Sequence, residues 1–199
     1  QVNWGNTTHD AVILILGAAL QNNLVYMATV SGISDCIGNL ISNNTCLFAI
    51  PQPVAKGDVL INEILFNPYS GGYDFVELYN NSNKILDLRD LRIASVDNVD
   101  SVISINTITQ ESFLFFPGDY VALTENAADI LSRYYTPIPS HVFEIGNLPS
   151  FNDDQGIVVL LLNDGTRADE LHYNANWHFP LLDDVNGISL ERIHFNQAT

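Results

Sequence analysis

Positive charge is scarce in this chain: seven Lys and Arg stand against 23 Asp and Glu, for a formal net charge of -16. No basic cluster breaks that balance. A surface of this kind repels phosphate backbones and anionic lipid, which argues against nucleic acid as a direct partner. Acidity also serves solubility, so it does not by itself point to a cationic ligand. Cysteine is nearly absent too. Cys36 and Cys46 are the only two, and neither sits in a CxxC pair. Two Cys without nearby His cannot fill the four positions of a zinc site. They are either a possible disulfide, closing a short loop worth roughly 2.5–3 kcal/mol on the chain-entropy argument, or two reduced thiols. Long apolar runs are missing as well. Ala11–Leu16 is too short to span a bilayer, and no other stretch approaches about 20 residues. Neither a basic n-region nor an h-region opens the chain, so no signal peptide is read there, and the expectation is a part of a longer polypeptide.

What is present is β-rich and globular. Hydrophobic residues make up 47% of the 199 and charged residues 15%, enough apolar material for a sizeable core. Residues 1–53 differ from the rest, holding Asp10 and Asp35 but no Lys, Arg or Glu. Val12–Leu16, Leu24–Val30 and Cys46–Ile50 read as three strands there, with turns at Gln21–Asn23 and Ser34–Asn39. Three strands are marginal alone. Pro51-Gln52-Pro53 reads as a stiff connector, with the linker running to Gly57. Beyond it, 58–195 reads as one all-β domain. Its strand candidates are Val59–Phe66, Asp74–Tyr79, Ile85–Leu88, Leu91–Ser95, Val102–Ile108, Tyr120–Leu123, Gly156–Leu162, Asp169–Tyr173 and Gly187–Ile193. Asn163-Asp164-Gly165 is a hairpin turn, and Phe116–Asp119 is another turn. One helix is expected over Ala127–Tyr135, capped by Asn126 and stopped by Pro137. Many short strands with one small helix argue for an antiparallel two-sheet sandwich.

Several motifs recur in a set order: Ile61-Asn62-Glu63-Ile64, Phe75-Val76-Glu77-Leu78-Tyr79-Asn80, Leu86-Asp87-Leu88, and Phe116-Pro117-Gly118 before Tyr120–Leu123. Asn163-Asp164-Gly165, Trp177 and Gly187-Ile188-Ser189-Leu190-Glu191-Arg192 follow. With these motifs, 58–195 resembles the lamin tail domain family, and the resemblance implies an Ig-like β-sandwich acting as a binding or structural module. Residues 1–53 resemble the closing part of a bacterial Ig-like domain. Together the two resemblances imply an exported bacterial protein, secreted or at the cell surface, in which this chain has an adhesion, scaffold or spacer role. The alternative is an accessory carbohydrate- or substrate-binding module of a secreted hydrolase. A protein or glycan partner at the cell surface is implied by either, and no cofactor is.

The candidate residues follow from cost. Glu63 and Glu77 lie inside apolar strands, where a carboxylate must be paired or bonded. A structural arrangement with Arg192, flanked by Asn62 and Asn80, fits better than a catalytic pair, and the expectation is that Arg192 bonds Glu63 or Glu77. Trp177, Tyr69 and Tyr73 lie in loops, where exposed aromatics can stack on sugars or pack on a partner. His141, His172, His178 and His194 are dispersed, without zincin spacing. Asp183–Gly187 fails as an EF-hand because Leu182 and Ile193 fall on ligand positions. The Asn152–Gly156 turn could offer oxygen ligands to an adventitious ion. Serine nucleophile motifs, phosphate-binding loops and dinucleotide fingerprints are missing, so no reaction is expected.

Overall fold

A computed structural model describes residues 2–4, 12–42, 44–97 and 99–195. Two compact units divide at Ile50/Pro51. Among its described residues the first carries four short strands, β1 (Val2–Trp4), β2 (Val12–Leu14), β3 (Tyr26–Thr29) and β4 (Thr45–Phe48). They pair as two separate antiparallel couples, β1 with β2 and β3 with β4, rather than as one three-stranded sheet. Between β3 and β4, the Asp35 carboxylate holds its own turn. It accepts from the Ile37 and Asn39 N–H groups and from Asn39 Nδ2. These bonds, the Asn39 backbone bond foremost, keep its carboxyl below the usual range. Cys36 and Cys46 are both free and exposed, so hydrogen bonds and not a disulfide close this loop. No described side chain of 13–50 is buried, as expected of paired strands without an opposing layer.

The second unit is the sandwich. Its strands are β5 (Val59–Leu65), β6 (Phe75–Asn80), β7 (Leu86–Asp87), β8 (Leu91–Val96), β9 (Val102–Thr107), β10 (Leu114–Phe115), β11 (Tyr120–Thr124), β12 (Val142–Glu144), β13 (Gln155–Leu162), β14 (Arg167–Asn174) and β15 (Leu190–Glu191), with helix α1 at Ala127–Arg133. One sheet runs β12-β11-β6-β5-β15, the other β14-β13-β8-β9, and β7 pairs with β10 apart from both. Alternation along β5, β6 and β11 sends Ile61, Ile64, Val76, Leu78, Val121 and Leu123 inward, where they meet Leu91, Ile93, Val158 and Leu160 of the second sheet. Each such side chain, fully removed from water, contributes about 1.5–3 kcal/mol. β13 is apolar on both faces, because Val159 and Leu161 form a second cluster with Ala94 and Val96 on its outer side.

Several local expectations change in detail. The 51–57 segment is not a free connector: Gln52 N–H donates to Ile85 O and Gly57 N–H to Ala168 O, and Val54 packs on the core. The sandwich is not wholly antiparallel either. β12 runs parallel to β11 at the sheet edge. The connection between them carries α1, and a parallel neighbour needs such a crossover. α1 starts where Asn126 accepts from Asp129 N–H, and it ends at Arg133, short of Pro137. The strand expected over Gly187–Ile193 shrinks to Leu190–Glu191. Gly187 takes a φ of +73°, and the Ile188 N–H turns back to Val185 O. The hairpin at Asn163–Gly165 stands as read, with Gly165 at a φ of +87°.

Candidate functional site

The outer face of the five-stranded sheet is divided into three zones by strand alternation. At one end Leu65 and Phe75 pack under Ile130 of α1. At the other, Tyr79 stacks between Tyr120 and Phe195, with ring centroids 4.7 and 4.4 Å apart. Between them lies a row of carboxylates. Glu63 of β5 is directly opposite Glu77 of β6 on one side and Glu191 of β15 on the other. Like charges directly opposite on neighbouring strands destabilise a sheet.

A bulge brings this row about. The register of β5 against β6 shifts between Ile61 and Glu63. Ile61 and Ile64 can then both point into the core, with Asn62 and Glu63 between them. The bulge takes backbone groups out of the ladder, and the edge of the sandwich supplies partners. The Asp169 carboxylate accepts from Ile61 N–H at 2.8 Å and from Arg192 Nη2 at 3.0 Å. Arg192 Nε donates to Ile61 O, and Arg192 N–H to Asn62 O. Arg192 therefore clasps the two sheets through Asp169 of β14 and does not pair with Glu63 or Glu77. The physical reason is alternation: Glu191 shares the outer face with the two glutamates, so the next residue turns away from it. Asp169 carried no signal in the sequence beyond its place in a strand.

The two central glutamates are held by neutral groups instead. Glu77 Oε1 accepts from Asn62 Nδ2 at 2.8 Å, and Glu63 accepts from the Ser189 hydroxyl. Burial pushes the Glu77 carboxyl up to about 7. The Asn62 bond works against the rise, and the neighbouring Glu63 and Glu191 add to it. Glu63 is raised in the same way, by burial first and with Glu191 adding. Asn62 is 3% exposed, and its Oδ1 is buried without a hydrogen-bond partner. Over this row opens a groove of about 500 Å³. Glu63, Glu77 and Glu191 line it together with Asp119, Tyr120 and the Tyr134–His141 segment that follows α1. Perturbed carboxylates converging in a cleft are a physical mark of a functional site.

The remaining candidates do not gather here. Asn80 is fully buried and saturated. Its Nδ2 donates to Lys84 O and Phe115 O, and its Oδ1 accepts from Ser82 N–H and Oγ. Trp177, 57% exposed, borders a smaller crevice of about 200 Å³ beside β15, with Leu171 and His194. Tyr69 covers Gly187, and Tyr73 lines a third hollow with Asp74 and Glu125. There burial, with Asp153 and Glu125 adding, pushes Asp74 up to about 7. His178 is buried, and its ring nitrogens lie 3.0 and 2.9 Å from Ala175 O and Ile188 O, tying two loops together. The Asn152–Gly156 turn is likewise committed to structure, as Asn152 O accepts from Tyr173 and Asp154 O from Ala175 N–H. Among the described residues no group of three His, Cys, Asp or Glu has metal-holding geometry, and no helix is long and apolar enough to cross a membrane.

Comparison with known proteins adds the family. No curated protein matches the chain. A family model for the lamin tail domain matches residues 52–175, more than half of the chain and most of the sandwich. The strand content, the two packed sheets and this match agree, and the chain belongs to the lamin tail domain family, whose members are non-catalytic Ig-like modules.

Proposed function

We propose that this chain is a non-enzymatic module of a longer exported bacterial surface protein. Its work is adhesion or scaffolding, with the outer face of the five-stranded sheet holding a partner. One observation carries the reading: three carboxylates stand in a row on an otherwise apolar and aromatic face, at a cost in stability, and open into a groove. Folds keep such costly arrangements where a ligand uses them. The Ig-like character of residues 1–53 and the surface location belong to the same proposal, supported by the sequence resemblance. The test is a panel of ester, phosphate, peptide and glycoside substrates, run beside a binding screen against cell-surface extracts. Absence of turnover together with saturable binding that a groove substitution abolishes is expected. Reproducible turnover that disappears in Glu63→Gln or Glu77→Gln, with the fold intact, would overturn the non-enzyme reading.

A second reading has its own observation. The exposed indole of Trp177 at the mouth of the crevice beside β15 suits the apolar face of a sugar ring. An accessory glycan-binding module would lose binding in Trp177→Ala and keep it in Glu77→Gln. The scaffold reading expects the reverse.

A further inference from the structure

The crevice beside β15 has an unfilled acceptor in its wall. It lies at the edge of the sandwich, between β5 and β15 of one sheet and β14 of the other. Ile64, Leu171, Tyr173 and Leu190 make its sides apolar, and the exposed indole of Trp177 stands at its mouth. Asn62 lines this crevice and not the groove over the carboxylates. Its Nδ2 is spent on Glu77, 2.8 Å away on the groove side. The two ends of an amide diverge from one carbon, so Oδ1 turns from the groove toward the crevice. There it is buried, and among the described residues nothing donates to it. The neighbouring polar groups are already used. The Tyr173 hydroxyl donates to Asn152 O, and the Arg192 guanidinium donates to Ile61 O and Asp169. A buried carbonyl oxygen without a donor is costly, and a ligand that brings one recovers the loss.

We propose that this crevice binds an N-acetylated amino sugar, with the acetamido group inside and the sugar ring against Trp177. This rests on the glycan-binding reading of Trp177 given above and names the class of sugar that the site selects. The acetamido group has the two features that the interior lacks a match for. Its methyl group is apolar and packs on Ile64, Leu171 and Leu190. Its N–H donates to Asn62 Oδ1. The apolar face of the ring lies on the indole at the mouth.

Size and polarity select against the simpler sugars. The crevice holds about 200 Å³. That is below the range of about 300–1,000 Å³ for drug-sized sites, so it takes one small substituent with part of a ring. Placed this way, the acetyl oxygen and the ring hydroxyls stay on the open side, where water reaches them and none is buried unpaired. A plain hexose has no part that suits the interior. One of its hydroxyls can donate to Asn62, but it brings no methyl group and buries a polar oxygen among aliphatic side chains.

The discriminating experiment titrates the full chain with three sugars and follows the backbone amide shifts and the indole N–H of Trp177. The sugars are methyl N-acetylglucosaminide, methyl glucoside, and the O-acetyl analogue of the first, in which an ester oxygen replaces the amide N–H. The N-acetyl sugar should give saturable shifts centred on residues 62, 171, 177 and 190. The glucoside and the ester should each bind at least fivefold more weakly, the ester because it keeps the methyl group and loses the donor. Trp177→Ala should abolish binding, and the control Tyr135→Ala, in the carboxylate groove, should change it less than twofold. Equal binding of the glucoside or the ester overturns the proposal, as does absence of binding by the N-acetyl sugar. Tighter binding of p-cresol at the same residues overturns it in favour of an aromatic side chain of a protein partner. A glycan array probed with wild type and Trp177→Ala tests the underlying reading separately. Trp177-dependent binding confined to sugars without an acetamido group removes only this inference, whereas no Trp177-dependent binding on the array removes the glycan reading with it.

Discussion

Replacing Glu77 with Gln should stabilise the protein at pH 8. The substitution is isosteric, and Gln Oε1 can still accept from Asn62 Nδ2 as Glu77 does at 2.8 Å. What changes is the charge. At pH 8 the wild-type sheet holds Glu77 ionised opposite Glu63, with Glu191 next in the row. Burial pushes the Glu77 carboxyl up to about 7 in the folded state, above the ordinary glutamate value of 4.5. The sign follows from linkage. A carboxyl raised in the folded state binds its proton there before the unfolded chain does, so stability rises as pH falls from about 7 toward 4.5 and is lowest above 7. Full conversion of the shift would overstate the effect, because the groove is open to water. After that discount the penalty removed at pH 8 is about 1–2 kcal/mol. For a domain of this size that is a rise of roughly 2–8 °C in Tm. At pH 4.5, where wild-type Glu77 is largely protonated, the variant and wild type should melt within about 0.5 kcal/mol of each other. Urea titrations at both pH values, with m unchanged, are the assay. A Glu77→Gln protein that is less stable at pH 8, or equally shifted at both pH values, would refute the account of the carboxylate row. A gain in stability on losing the charge is the signature expected of a residue that the fold does not need.

Other substitutions probe the frame around the site. Arg192→Ala should cost about 3 kcal/mol in urea unfolding, since it leaves the Asp169 carboxylate in a largely buried place with one partner fewer; a loss under 1 kcal/mol would dismiss the inter-sheet clasp. Asn80→Leu should cost about 2–4 kcal/mol, because Lys84 O and Phe115 O both lose their donor inside the protein. Gly187→Ala should destabilise by about 1–2 kcal/mol, since its φ is +73° and a Cβ there would lie 2.2 Å from the Tyr69 ring. In a Tyr69→Ala background the steric part of that loss should vanish, as a double-mutant cycle will read. Both thiols should react with iodoacetamide in the native protein without reductant, and an unmodified intact mass would contradict their free, exposed state.

Local signals carried much of the architecture. Turn chemistry at Asn163–Gly165 and the cap at Asn126 act over a few residues, so they were legible in the chain itself, as were most strands of the sandwich. The misfit of Asn62-Glu63 and Glu77 in apolar strands was legible too, because burying a carboxylate has a known cost wherever it happens. Partners were a different matter. Arg192 was expected at the glutamates and clasps Asp169 instead. A one-residue bulge at Ile61–Glu63 and the alternation from Glu191 to Arg192 decide which face each side chain takes. Short edge strands such as β10 and β12 escaped because two or three residues carry no periodicity. The parallel place of β12 depends on how the connection through α1 returns to the sheet edge. The sequence by itself determined the class of fold and the residues that needed an explanation, since propensity, turns and burial cost are properties of short segments. Only the tertiary structure decided which of those residues meet, because register, bulge and crossover set distances between positions as far apart as Glu63 and Glu191.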